Sequence, residues 1–232
     1  MNIKNIKSDF PIFKQRINGK PLVYLDSANS SQKPTVVIKK MSNFYETEFS
    51  NVGRSVHSLA VKATNRFEES RDKVKNYLNA KHREEIIFTK GATEAINLVA
   101  STFGEKFIKK GDEILTTELE HHSNYVPWHI IRKNKGAIIK FAPVNHNGEV
   151  DIDEIKKLIT NKTKIIAITH ISNVTGAIIP LKEIIGLAKE KKIPVLVDGT
   201  QGAPHLKIDL QELDCDFYAI SCHKMYGPNG LG

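Results

Sequence analysis

Near the end of the chain an apolar run, Phe217-Tyr218-Ala219-Ile220, is followed at once by a hydroxyl, an imidazole and an ammonium: Ser221, His223 and Lys224. The run reads as a buried strand, and Gly227-Pro228 marks the turn beyond it. Lysine is rarely buried without a partner, so a lysine where a buried strand ends is unusual. Desolvation and neighbouring cations lower an ammonium's pKa and leave more free amine. A free amine adds to a carbonyl and forms a Schiff base. Lys224 is therefore a candidate to hold pyridoxal 5′-phosphate (PLP). Taken alone it is equally a surface lysine on a turn.

Four other segments carry groups of the kind such a cofactor needs. Lys90-Gly91-Ala92-Thr93-Glu94 puts a glycine and a hydroxyl at a helix start, where unpaired N–H groups and the dipole favour an anion. A plain helix cap would look the same. Glu118 to Asn124 holds adjacent His121 and His122, whose side chains point apart. That is poor zinc spacing, but one ring could lie over an aromatic cofactor; no metal is expected. His170 to Gly176 is rich in short polar side chains, Asn173 among them. Asp198, in Asp198-Gly199-Thr200-Gln201, ends a buried strand and needs a cationic partner. A pyridinium N–H⁺ is such a partner; a lysine or a turn cap is the alternative.

These segments have to be positioned by elements the pattern also predicts. Residues 1–20 read as an irregular arm with a short helix near Ile6 to Phe13, and 21–232 as one large domain. Strands are expected at Pro21–Asp26, Glu84–Thr89, Glu113–Thr116, Ala137–Phe141, Lys164–Thr169, Pro194–Val197 and Asp216–Ile220. Helices are expected from Pro34, placed at the first helical position, and over Val56–Leu78. Others start at Thr93 or cover Tyr125–Lys135, Asp153–Ile159 and Leu181–Lys191. Alternating strands and helices imply an α/β fold with a mainly parallel sheet flanked by helices. Ligands of such sheets sit beyond the carboxyl ends of the strands, where every candidate above falls.

Composition bounds the rest. Hydrophobic content of 40% and charged content of 26% suit a globular protein. No apolar run approaches the roughly 20 residues of a membrane span, and the N-terminus lacks the apolar core of a secretory signal. Two cysteines, Cys215 and Cys222, suit a reducing cytoplasm. The net charge of +8 comes from scattered lysines without a dense basic block, so nucleic acid is not the expected partner.

Several motifs together resemble class V, fold-type I PLP enzymes, and among them SufS-type cysteine desulfurases. They are Tyr24-Leu25-Asp26-Ser27-Ala28 with Gln32-Lys33-Pro34, Gly91 to Val99, Glu120 to Asn124 with Val126-Pro127-Trp128, and Thr169 to Val174. Val197 to Gln201 and Asp214 to Tyr218, running into His223 to Pro228, complete them. The resemblance implies that Lys224 is the Schiff-base lysine and proton shuttle. It implies that His121 stacks on the ring as acid and base, and that Asp198 pairs with the pyridine nitrogen. Gln201 and Asn173 would hold the phenolic oxygen and the substrate side. Thr93, Ser221 and His223 would bind phosphate, with Ala92 beside them. The implied reaction converts L-cysteine to L-alanine and passes sulfur as a persulfide to an acceptor protein for iron–sulfur cluster assembly, in a homodimer.

Three positions depart from the family pattern: Ala92 where many relatives have a second Thr, Gly53 where a His is usual, and Cys222 in place of Gly. Both cysteines are read as structural. The chain stops at Gly230-Leu231-Gly232, whereas relatives continue into a small C-terminal domain carrying a substrate-binding arginine and the persulfide cysteine. The resemblance thus implies an N-terminal fragment that does not complete the reaction alone. The alternatives are a selenocysteine lyase, another class V enzyme such as a kynureninase-like protein or an epimerase, an inert scaffold subunit, or a basic nucleic-acid binder.

Overall fold

The computed structural model describes residues 3–232; the first two residues of the expected arm lie outside the described residues. The chain divides into two compact units, one comprising residues up to Ile87 with Cys222–Asn229, the other Phe88–Ser221 with Gly230–Gly232.

The first unit begins with α1 (Ile3–Ser8) and a 3₁₀ turn at Pro11–Lys14, so the single short helix expected near Ile6 to Phe13 is broken in two. Proline lacks an N–H and restricts the residue before it, which is why the helix cannot run through Pro11. A hairpin follows, β1 (Arg16–Ile17) with β2 (Lys20–Pro21), joined by Asn18 and Gly19 at φ 52° and 75°. Asn-Gly suits this turn because both central residues need positive φ. The strand expected over Pro21–Asp26 is absent beyond Pro21: Val23 and Leu25 are 73% and 92% exposed. An apolar run becomes a strand only where a neighbour offers backbone partners, and here none does among the described residues. Helix α2 (Thr35–Thr47) starts one residue later than expected, with Pro34 as its N-cap. Helix α3 (Ser58–Leu78) is capped by the His57 ring, which accepts from the Ala60 N–H, and ends on Asn79 in the left-handed region.

The second unit is built on five parallel strands. Its elements run α4 (Ala92–Val99), a π turn into α5 (Glu105–Phe107), β3 (Glu113–Thr117), α6 (His122–Lys135), β4 (Ile138–Ala142) and α7 (Ile152–Leu158). They continue with β5 (Thr163–Thr169), α8 (Leu181–Glu190), β6 (Val195–Asp198), α9 (Gly202–His205), α10 (Leu210–Leu213) and β7 (Phe217–Ala219). The sheet order is β4-β3-β5-β6-β7, with every neighbouring pair parallel as the alternating pattern implied. Strand periodicity then sorts the core. Leu115, Ile166, Ile168, Val195 and Val197 face one side, packed with Ile155 of α7 and Ile184, Ile185 and Ala188 of α8. Ile114, Ile165, Ala167 and Leu196 face the other, packed with Ile96 of α4 and Trp128 and Ile131 of α6. Both faces are dry, so these strands read as apolar runs rather than alternations.

Glu84–Thr89 does not form the expected strand. Arg83–Glu85 is a 3₁₀ turn and Ile87 is 64% exposed. Only the end of the segment pairs, where Thr89 and Gly232 exchange both backbone hydrogen bonds at 2.8 Å.

Candidate active site

In the five-stranded sheet the chain steps from β3 outward to β4, then returns to lay β5 on the other flank of β3. Such a reversal opens a crevice at the carboxyl ends of the two strands. In this unit β3, β5, β6 and β7 deliver Glu120 and His121, His170, Asp198, and Ser221 to that edge.

Asp198 is 4% exposed, and Thr169 of β5 and Ala219 of β7 are its register partners. The Thr200 N–H donates to Oδ1 at 3.0 Å, and so does the Thr200 hydroxyl. Both bonds fall on one oxygen, and no ion pair among the described residues involves this carboxylate. The turn-cap alternative is therefore present, but the lysine partner is not. A buried carboxylate with Oδ2 left to accept fits a cationic N–H that none of the described residues provides. Gly199 keeps this strand end close to Tyr218: a Cβ there would lie 2.0 Å from Tyr218 Cε1. Gly199→Ala should cost on the order of 3 kcal/mol in an unfolding titration, since an aromatic ring in a packed face cannot give way.

The start of α4 forms a cradle. Gly91, at φ 150°, provides no side-chain cap, and a Cβ on it would touch Ser221 Oγ at 3.4 Å. Ser221, buried, accepts from the Ala92 N–H at 2.8 Å and so caps the helix from β7's end. The next two amides, of Thr93 and Glu94, have no hydrogen-bond partner among the described residues. Unpaired N–H groups at a glycine-opened helix start fit a phosphate. Thr93 Oγ1 meets Ser123 Oγ at 2.7 Å, and Ser123 Oγ meets His121 Nδ1 at 3.0 Å. His121 is the N-cap of α6, with Nδ1 accepting the Ser123 N–H at 3.1 Å. A backbone N–H can only donate, so a neutral His121 ring carries its proton on Nε2. The candidate stacking ring and the candidate phosphate hydroxyl are thus joined through Ser123, a link that sequence reading missed although the residue lies inside a quoted motif.

Glu120 is the other residue missed. Its Oε1 accepts from the Thr117 hydroxyl at 2.7 Å and from the Thr169 N–H at 2.9 Å; Oε2 accepts from Asn124 at 2.6 Å. It ties β3, β5 and α6 together beside the turn that bears His121. Burial, with a further push from the Asp198 charge, raises its pKa to about 7, against opposing hydrogen bonds. The folded state therefore holds this proton better than the unfolded chain, whose value is near 4.5. The stabilisation is complete below pH 4.5 and is lost as pH rises through 7. In chemical unfolding, the advantage of wild type over Glu120→Gln should shrink by up to about 3 kcal/mol across that window. A pH-independent difference would refute this.

Asn173 lies in an exposed turn after β5, and Gln201 is buried as the N-cap of α9. His223 and Lys224 belong to the first unit, in a 3₁₀ turn at Cys222–Lys224. Burial lowers the pKa of His223, and the charges of Lys224 and Lys33 add to that. The thiols are inert by comparison: burial pushes Cys215 up to about 12 and raises Cys222 as well. Among the described residues no group of three or more His, Cys, Asp and Glu side chains could hold a metal, and no helix is long and apolar enough to cross a membrane.

Residues 23–232 match the family described as aminotransferase class-V. A protein of Halalkalibacterium halodurans named "Probable cysteine desulfurase" is 50% identical over all of this chain and 57% of its own length. A cysteine desulfurase of Synechococcus elongatus is 46% identical, over 37% of its length. The chain thus spans about half or less of these two relatives. Among solved structures, the cysteine desulfurase CsdA of Escherichia coli superposes with a TM-score of 0.89 at 39% identity, over all of this chain and 57% of that one. The apo cysteine desulfurase of Thermococcus onnurineus gives 0.92 at 34% identity, over all of this chain and 56% of that one.

Proposed function

The chain belongs to the class-V aminotransferase family, and from that membership we propose that it acts in a PLP-dependent cysteine desulfurase. L-Cysteine becomes L-alanine, and the sulfur leaves as a persulfide for an acceptor protein. The observation that carries this reading is the buried Asp198 carboxylate, without a cation among the described residues, on the same sheet edge as the glycine-opened start of α4 with its two unpaired amides.

Bound PLP would supply an electron sink for negative charge developing at the substrate carbon. The chain's residues do the rest. Asp198 would hold a proton at the ring nitrogen, since no other cation among the described residues pairs with its carboxylate. The Thr93 and Glu94 amides with the Thr93, Ser221 and His223 side chains bind the phosphate; Ala92 offers only an N–H, which Ser221 already takes. His121, its Nδ1 fixed by Ser123, would stack on the ring and present Nε2–H as the acid. Gln201 and Asn173 orient the phenolic oxygen and the substrate. Lys224 would hold the cofactor aldehyde through its amine and would move a proton between substrate atoms.

A homodimer, a cytoplasmic setting and a role in iron–sulfur cluster assembly are part of the same proposal, and rest on the motif resemblance to SufS-type cysteine desulfurases. The test is full-length protein with PLP, L-cysteine and a thiol reductant. Alanine and sulfide should form in equal amounts. No alanine overturns the proposal, and alanine from selenocysteine alone reassigns it to a lyase.

A further inference from the structure

The motif Gln32-Lys33-Pro34 has no part in the chemistry above, yet in the first unit it reaches the turn that bears Lys224. The carbonyl oxygen of His223, the residue before that lysine, accepts from the Ser31 N–H at 3.0 Å, the Ser31 hydroxyl at 2.9 Å and the Lys33 ammonium at 2.8 Å. A longer approach from Ser30 Oγ, at 3.4 Å, falls on the same atom. A carbonyl has two lone pairs, so this oxygen is saturated. Ser31 is 4% exposed, and its hydroxyl also accepts from the Tyr226 N–H at 2.8 Å. One side chain therefore grips residues on both sides of Lys224. Tyr226 holds a left-handed φ of 62°, a conformation that a tight turn must impose on a bulky residue.

Lys33 is the informative member. Its ammonium donates to the carbonyls of Ser31, at 2.7 Å, and His223, and none of the ion pairs among the described residues includes it. Neutral donors would suffice to shape a loop. An ammonium without a carboxylate costs desolvation, which also lowers its pKa, and gives in return a charge-assisted bond to one chosen peptide group. We propose that Ser31 and Lys33 are positioning residues: they fix the peptide of His223 so that the Lys224 amine meets the cofactor aldehyde in a reactive pose. The proposal rests on the role given to Lys224.

The test uses full-length protein and PLP, with three variants: Lys33→Met, Lys33→Arg and Ser31→Ala. Total bound PLP is measured by equilibrium dialysis. Attachment is measured by quenching with borohydride: amine nitrogen and aldehyde carbon join with loss of water, and hydride reduces the C=N bond to a stable amine. Lys33→Met should bind PLP but attach it on the order of 10²-fold more slowly, as expected of a reacting group displaced by about 1 Å. Lys33→Arg should recover most of the rate, because it keeps a charged donor. Ser31→Ala, which leaves the ammonium in place, should also slow attachment, and it serves if Lys33→Met does not fold. Attachment at the wild-type rate in both Lys33→Met and Ser31→Ala overturns the clamp alone. A wild type that binds no PLP overturns the clamp together with the cofactor reading.

Discussion

Lys224→Ala is expected to abolish borohydride-fixed PLP and to lower alanine formation by at least 10²–10⁴-fold, roughly the range a positioned proton-transfer group contributes. Lys224→Arg is expected to be equally inactive. Arginine keeps the positive charge but has no free amine at any accessible pH, so it can neither join an aldehyde nor carry a proton to and fro. The pair of variants separates the nucleophile from the charge. Activity in the arginine variant would show that the lysine acts only as a cation. The side chain is partly buried in a short turn, so unfolding midpoints are measured beside activity to set aside loss of folded protein.

Asp198→Asn should weaken PLP binding by about 10- to 150-fold, the equivalent of one hydrogen bond to a charged group. Asparagine keeps an Oδ1 that can still accept from the Thr200 N–H and hydroxyl. What is lost is the negative charge at the other position, which in the proposed site would keep the ring nitrogen protonated. In the absence of cofactor the sign reverses: a buried carboxylate with no cation is a cost, so the variant should be as stable as wild type or more so. Both halves are measurable, by PLP titration and by thermal unfolding of the apo-protein. Unchanged affinity would remove Asp198 from the site, and a large drop in apo stability would make it a structural residue.

The parallel strands were legible because they are buried on both faces. Lys164-Ile165-Ile166-Ala167-Ile168 and Pro194-Val195-Leu196-Val197 are runs that only a covered sheet tolerates, and their ends fall within a residue or two of β5 and β6. Pro21–Asp26 and Glu84–Thr89 have similar composition and failed as strands. Composition records what a segment can bury, but it does not record whether another strand lies beside it. The converse error was Asn18-Gly19, a strong hairpin signal inside what read as an irregular arm.

For the site, residue type after an apolar run marked Asp198, Thr93 and Ser221 as candidates, although the run before Thr93 forms no strand. The choice of His121 over His122 came only with the family resemblance. Glu120 and Lys33 were different. Glu120 keeps its proton because it is buried at the reversal of the sheet, with the Asp198 charge adding and the hydrogen bonds from Thr117, Thr169 and Asn124 opposing. The reach of Lys33 to the His223 carbonyl spans 190 positions of chain. Periodicity and residue type are local properties, readable a few neighbours at a time, and they specify the layers and the candidate chemistry. Hydrogen bonds and fields between distant segments come into being when the chain closes on itself, and these set which proton is held and which peptide is pinned.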